Sequence, residues 1–171
     1  MNISILSVAP PYRGGISEQT YLMYTHLREN HNTQIINFKR QYPSIFFPGK
    51  NQYDYKNNKN IDDNFRIVDS INPLSWGRAA HFINNNNSEL VLIRFWNPYF
   101  AISHGSILKK IKKKSPRIKI IAICDNIIPH EISFLDKSLI KYLFKYIDGF
   151  IVMSKKVEAE LLLLVDNPLY K

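Results

Sequence analysis

Short apolar runs rich in β-branched residues alternate along this chain with longer stretches of helical periodicity. No other feature restricts the fold as much. Ile3–Val8 is the first run and ends at Ala9-Pro10-Pro11. Gln34–Phe38, Arg66–Asp69, Leu90–Phe95, Ile118–Cys124 and Phe150–Met153 repeat it. Between them, Ile16, Thr20, Met23 and Leu27 fall at three- and four-residue steps, which predicts a helix over Ile16–Asn30. Pro73–Ile83 reads the same way. Asn97-Pro98 begins another helix well, because Asn suits the cap and Pro at the first helical position gives up no needed hydrogen bond. That helix carries Phe100, His104, Ile107, Leu108 and Ile111 on one side. Asp136–Ile147 places Leu139, Leu143, Tyr146 and Ile147 inward, with Lys137, Lys141 and Lys145 outward. Ser154 caps a last helix, with Val157, Leu161 and Leu164 inward, and Asn167-Pro168 ends it. Strands separated by helices need right-handed crossovers, so the prediction is an α/β domain whose parallel sheet is covered on both faces.

One connection breaks the pattern. Arg40 to Asn64 is polar, aromatic and Asn-rich, with Pro43, Pro48 and Gly49, and reads as a long loop of the functional kind. The chain has 171 residues, enough to bury roughly 70 % of the surface its unfolded form exposes. The lone Cys124 excludes an intramolecular disulfide and a multi-cysteine zinc site. No apolar run approaches the ~20 residues that span a bilayer. Met1-Asn2-Ile3 lacks the basic start of a secretory signal, so a cytoplasmic protein is expected. Lys+Arg 23 against Asp+Glu 14 leaves a net charge of +9. Such a balance suits an anionic partner: nucleic acid, a membrane surface or a phosphorylated ligand.

In a parallel sheet, ligands bind outside the carboxyl ends of the strands. The loops after Val8, Phe38, Phe95, Cys124 and Met153 therefore form the functional edge. The first runs Pro10-Pro11-Tyr12-Arg13-Gly14-Gly15-Ile16-Ser17, from strand directly into helix. Its glycines admit close approach, the first helical amides suit an anion, and Arg13 adds charge. It fits neither the dinucleotide fingerprint nor the P-loop, and an ordinary capped turn explains it equally well. The second, Asp125-Asn126-Ile127-Ile128-Pro129-His130-Glu131, gathers two carboxylates, an amide and an imidazole. Such a cluster suits hydroxyl binding or acid–base work, although each residue taken singly also reads as structural, with His130 fixing the loop by a hydrogen bond. The third, Arg94-Phe95-Trp96-Asn97-Pro98-Tyr99-Phe100, offers Trp96 for stacking on a sugar, while Tyr99 and Phe100 read as core. His104, on an apolar helical face, reads as a satisfied core histidine. Lys109, Lys110, Lys112, Lys113 and Lys114, followed by Arg117 and Lys119, crowd one helix end. Part of that charge complements the helix dipole, and the rest suits either an anionic membrane surface or an ordinary solvated face. The cluster lacks interleaved aromatics and a recognition-helix pattern, so nucleic acid is not expected as a partner.

These segments, taken in order, resemble the N-terminal half of bacterial GT-B glycosyltransferases of the large retaining group 1 class, family four. The resemblance extends over nearly the whole chain. Besides the three loops it rests on Arg40-Gln41-Tyr42-Pro43, Phe47-Pro48-Gly49-Lys50-Asn51-Gln52-Tyr53-Asp54, Ser70-Ile71-Asn72-Pro73-Leu74-Ser75-Trp76 and Ser154-Lys155-Lys156-Val157. It implies a Rossmann-like single domain over residues 1–165, the acceptor side of the enzyme. Residues 166–171 then resemble the start of an interdomain segment, with the donor domain absent. The implied reaction moves a hexose from a nucleotide-diphosphate sugar to a glycan or lipid-linked acceptor, as in polysaccharide biosynthesis. The resemblance places Arg13, Gly14 and Gly15 at the donor diphosphate. Asp125 and His130 become catalytic candidates, and Trp96, Asn126 and Glu131 candidates for the acceptor. Many relatives carry His where Asp125 stands, so Asp125 does not inherit that histidine's role and is offered instead as an acceptor for a sugar hydroxyl. No cofactor and no metal are expected. The enzyme is expected to be peripheral at the inner face of the membrane, with this half alone inactive. The competing reading from the residues is a standalone Rossmann-like module for an anionic ligand or partner.

Overall fold

β1 (Asn2–Leu6) lies in the middle of a six-stranded sheet, flanked by β2 (Asn32–Arg40) and β4 (Leu90–Phe95). The sheet belongs to a computed structural model that describes residues 1–43, 52–54, 59, 61–128, 134–166 and 168–169. Beyond β2 lies β3 (Asn64–Asp69), and beyond β4 lie β5 (Lys119–Cys124) and β6 (Gly149–Val152). The order is β3-β2-β1-β4-β5-β6, and every neighbouring pair is parallel. This is the Rossmann-like α/β fold that the alternation predicts, with the strand order reversing direction between β1 and β4. A crevice opens at that switch point, outside the carboxyl ends.

The helices follow from capping and periodicity. α1 (Gly15–Leu27) joins β1 to β2 and buries Ser17, Thr20 and Tyr24. α2 (Pro73–Asn85) joins β3 to β4; the Asn72 side chain accepts from the Leu74 N–H, and Pro73 occupies the first turn. After β4 the chain makes one 3₁₀ turn, Pro98–Phe100, capped by Asn97, before α3 (Ala101–Lys114). The predicted helix thus starts on cue but tightens in its first turn. α4 (Phe134–Phe144) leads to β6, and Ser154 caps α5 (Lys155–Leu162) by accepting from the Val157 N–H. Among the described residues no helix joins β2 to β3. Residues 44–51, 55–58 and 60 of the predicted Arg40–Asn64 loop lie outside the described residues.

Two apolar clusters hold the layers together. The larger joins Leu6, Ile36, Val68, Ile93 and Ala122 of the sheet to Ala79, Ile83, Ile107, Leu108, Ile140 and Leu143 of α2, α3 and α4. The smaller lies under α1 and contains Ile3, Ile5, Tyr24, Ile35 and Leu92. Phe100 of the 3₁₀ turn and His104, Ile107, Leu108 and Ile111 of α3 are all buried, as the spacing predicts.

His104 is corrected in one respect: it is in the core but not satisfied. Among the described residues neither ring nitrogen has a hydrogen-bond partner. Phe38, Phe100 and Trp96 surround the ring, with centroids at 5.8, 5.9 and 6.4 Å. Helical spacing dictates an inward side chain and supplies no acceptor for it. Burial lowers its pKa from the ordinary histidine range to about 4. The folded value lies below the unfolded one, so protonation favours unfolding. The neutral form's stability is intact above about pH 6.5 and falls as pH drops toward 4, at up to ~1.4 kcal/mol per pH unit. His104→Leu is therefore expected to raise stability by about 1 kcal/mol or more at pH 7 and to flatten the loss between pH 6.5 and 4. Urea unfolding at pH 7, 5.5 and 4 checks both.

Candidate functional site

The β1–α1 loop is fixed from below by a residue that sequence reasoning overlooked. Asn37, fully buried in β2, donates through Nδ2 to the carbonyls of Ala9 (3.1 Å) and Pro10 (3.2 Å) and accepts from the Ala9 N–H (3.1 Å). An amide inside the run Ile35-Ile36-Asn37-Phe38 was the available signal, since a buried amide must find partners. Further out, the Arg13 N–H donates to Gln52 O at 2.9 Å and the Asp54 N–H to Pro11 O at 2.7 Å. Gly14 then turns the chain into α1 with φ of 113°, a left-handed value that favours glycine. Gly14 O receives the Glu18 N–H, and the amides of residues 15–17 lead the helix with no intrahelical acceptor. A Cβ added at Gly14 or Gly15 would meet nothing within 4 Å, so the space before these amides is open. Arg13 is exposed beside them. The Ser17 hydroxyl is buried without a partner among the described residues and borders a small cleft of about 50 Å³ with Pro10, Tyr12, Arg13 and Gly14.

A buried arginine ties this loop to the next. Arg94, near the end of β4, is only 4 % exposed. Its Nε donates to Asp125 Oδ2 at 3.0 Å and its Nη2 to Asp125 Oδ1. The same Nη2 donates to Gln19 Oε1 at 2.5 Å, one turn into α1. The first turn of α1 and the start of the β5 loop therefore meet on one guanidinium. Asp125 has both oxygens committed to Arg94, which gives it a positioning task and leaves only spare lone pairs for a hydroxyl donor. Arg94 itself was legible: an arginine in an otherwise apolar strand requires a counter-charge nearby. Cys124 precedes Asp125, and burial, reinforced by that carboxylate, pushes its thiol up to about 12. It stays protonated at neutral pH and is no nucleophile.

The remaining candidates are distributed unevenly. Asn126 is half-buried beside Asp125. The N–H groups of Ile127 and Ile128 donate to Glu160 Oε2 of α5 at 3.3 and 3.0 Å, a second support absent from the sequence reading. His130 and Glu131 lie outside the described residues. Trp96 is half-buried, with its ring 4.8 Å from that of Phe100. Tyr99 is half-buried and stacks on Tyr42, whereas Phe100 is in the core.

Topology separates the lysine cluster from this site. α3 runs from the carboxyl end of β4 to the amino end of β5, so its last turn sits at the opposite edge of the sheet. Lys109, Lys110, Lys113 and Lys114 are exposed there. Lys112 departs from the expected surface: it donates to Asp148 Oδ2 at 2.6 Å and to Ile118 O at 2.8 Å. Among the described residues no three His, Cys, Asp or Glu side chains converge as a metal site requires, and no helix is long and apolar enough to cross a membrane.

The chain shares its fold with solved glycosyltransferases. One is an alpha-glucosyltransferase in complex with UDP and a 13-mer DNA containing a central A:G mismatch, with TM-score 0.56 and 13% identity over 92% of this chain. Another is an alpha-glucosyltransferase with UDP and a 13-mer DNA containing a HMU base, with TM-score 0.60 and 11% identity over 99% of this chain. This chain spans 38% and 42% of their respective lengths. No family profile and no curated protein sequence matches it. The two structures overturn the expectation that nucleic acid is not a partner. Both proteins hold DNA together with UDP, so the lack of a recognition-helix pattern does not exclude nucleic acid for this fold.

The Arg94–Asp125 pair generates a direct test. Asp125→Ala leaves a buried guanidinium without its counter-charge, a loss of about 3 kcal/mol or more for a buried pair. The expected result is a lower urea midpoint with an unchanged slope, and a smaller loss for Arg94→Met combined with Asp125→Ala.

Proposed function

We propose that this chain forms the acceptor-side wall of a glycosyltransferase that moves a hexose, with retention, from a nucleoside-diphosphate sugar to a glycan or lipid-linked acceptor. The observation that carries this reading is the open first turn of α1 at the β1/β4 switch point, with Gly14 and Gly15 leaving its amides clear. Unpaired helical N–H groups and the positive end of the helix dipole attract a diphosphate. Arg13 adds a cation at the same place. The two UDP-bound structures of the same fold support the choice of a nucleoside diphosphate. Their DNA keeps nucleic acid among the acceptor classes. Arg94, Asp125 and Gln19 hold the floor of the crevice, with Asn126 and Trp96 offered to the acceptor. His130 and Glu131 enter on their sequence pattern alone.

Charge developing on a leaving diphosphate is stabilised best by donors on both sides. The chain supplies one wall, so the 171-residue chain is expected to bind UDP without turning over a UDP-sugar. Gly15→Val tests the donor loop: a Cβ there meets no protein atom within 4 Å, so the variant folds while its side chain obstructs the amides. UDP titrations followed by amide NMR should show at least tenfold weaker binding for Gly15→Val, with unchanged thermal unfolding. Equal UDP affinity of the two proteins refutes the donor site.

Peripheral attachment to the inner membrane face belongs to the same proposal. Lys109, Lys110, Lys113 and Lys114 would contact anionic lipid at the amino edge, at about 1 kcal/mol per residue. Co-sedimentation with anionic vesicles should fall with rising salt and on changing the four to Gln. Equal binding to neutral vesicles removes this part of the reading.

A further inference from the structure

A cavity of about 750 Å³ runs beside α2, on the flank of the domain formed by edge strand β3. Nothing in the donor crevice uses it. Its apolar lining comes from Ile67, Leu74 and Phe82. Arg78, His81 and Lys110 also face it, and among the described residues no acidic side chain does. Among the described residues Arg78 and Lys110 have no hydrogen-bond or ion-pair partner, whereas His81 meets Asn85 at 2.8 Å.

Arg78 and Ile67 also line a second, polar compartment of about 280 Å³. Lys39, Arg40, Asp69 and Asn72 line that compartment. They stand at the carboxyl ends of β2 and β3 and the start of α2, on the same edge of the sheet as the donor loop. The one carboxylate, Asp69, is taken up by Arg40 at 2.5 Å, which leaves Lys39 and Arg78 as uncommitted cations. Leu74 is 77 % exposed and Ile71 49 %, so large apolar side chains flank the carboxyl-edge end of the trough. Leu74 belongs to the trough lining, so its exposure extends the apolar wall into open solvent.

Gly77 adds an independent observation. It sits inside α2 on the trough wall, where glycine weakens a helix relative to alanine. A Cβ there would meet nothing within 4 Å, so no protein packing requires the glycine. Its remaining effect is to keep the trough clear.

We infer that the trough beside α2 binds one anionic amphiphile, an alkyl or isoprenoid chain with a phosphate head. The chain lies on Ile67, Leu74 and Phe82. Arg78, which lines both compartments, receives the phosphate, with Lys39 beyond it. Arginine's planar fork suits phosphate oxygens. Arg78 and Lys110, with no carboxylate among the described lining residues of the trough, favour anionic over neutral amphiphiles. This inference rests on the glycosyltransferase reading for its meaning: it makes the acceptor a phosphate-linked lipid, held by its carrier while the portion beyond the phosphate points to the carboxyl edge.

Calorimetric titration of the 171-residue chain with decyl phosphate, below its micellar concentration, tests the site without any sugar transfer. Saturable binding is expected. Gly77→Leu, which blocks the trough while favouring the helix, should weaken it at least tenfold. Arg78→Gln and Leu74→Asp, both at exposed positions, should each do the same. Decyl maltoside should not saturate, and inorganic phosphate should not compete. Unchanged affinity in Gly77→Leu overturns the proposal. So does competition by inorganic phosphate, which indicates an anion site alone, or equal binding of decyl maltoside. Displacement by a short DNA duplex, with the same dependence on Arg78 and Gly77, assigns the surface to nucleic acid instead. UDP binding depends on Gly15 and not on these residues, so failure here and failure of the donor site are separate results.

Discussion

The buried guanidinium of Arg94 is the interaction on which the carboxyl edge depends. A charge at 4 % exposure is tolerated only with full hydrogen bonding and a counter-charge. Asp125 supplies the counter-charge and Gln19 a further acceptor. The three belong to β4, the β5 loop and α1, so satisfying one side chain fixes three elements against one another. Removing the arginine would free the crevice floor; removing the aspartate would strand the charge. The requirement is stricter than apolar packing, which accepts many arrangements of similar volume.

Other buried polar groups serve the same end. Asn37 holds the loop before Gly14 from within β2. The Ser7 hydroxyl meets Thr20 Oγ1 at 2.9 Å and binds α1 to the end of β1. Glu160 reaches from α5 to the amides of Ile127 and Ile128. Each acts where a strand gives way to a loop, so backbone groups leaving the ladder find side-chain partners. The outcome is a rigid frame around an open helix start. Such a frame suits a site that binds a charged ligand through fixed amides.

Parallel strands also give the domain two chemically distinct edges. Every strand ends on the side of Gly14, Arg94 and Asp125. Every crossover helix returns to the other side, where α3 carries its lysines. The trough beside α2 connects the two directions, from Leu74 near the carboxyl edge to Lys110 of α3. α2 has 13 residues and is therefore roughly 20 Å long. An elongated amphiphile matches that dimension better than a compact ligand does.

The alternation of strands and helices, and with it the parallel sheet, can be read directly along the chain. Leu90–Phe95 coincides with β4, and the caps at Asn72, Asn97 and Ser154 mark where helices start. These properties are local: periodicity and capping involve neighbours within a few residues, so they can be read along the chain. The Gly14-Gly15 loop was legible for the same reason. The partners of Arg94, Asn37 and Glu160 were not, because residues 31, 28 and 32 or more positions apart meet only after the sheet has formed. Composition displayed the lysines as one cluster, but helix rotation sent Lys112 to Asp148 and left Lys110 in the trough with Arg78. His104 was placed in the core by spacing alone, whereas its lack of a partner depends on which side chains the sheet and α3 bring around it. Long-range pairing of buried polar groups is a property of tertiary packing, and it decided which of the residues visible in the sequence share a site.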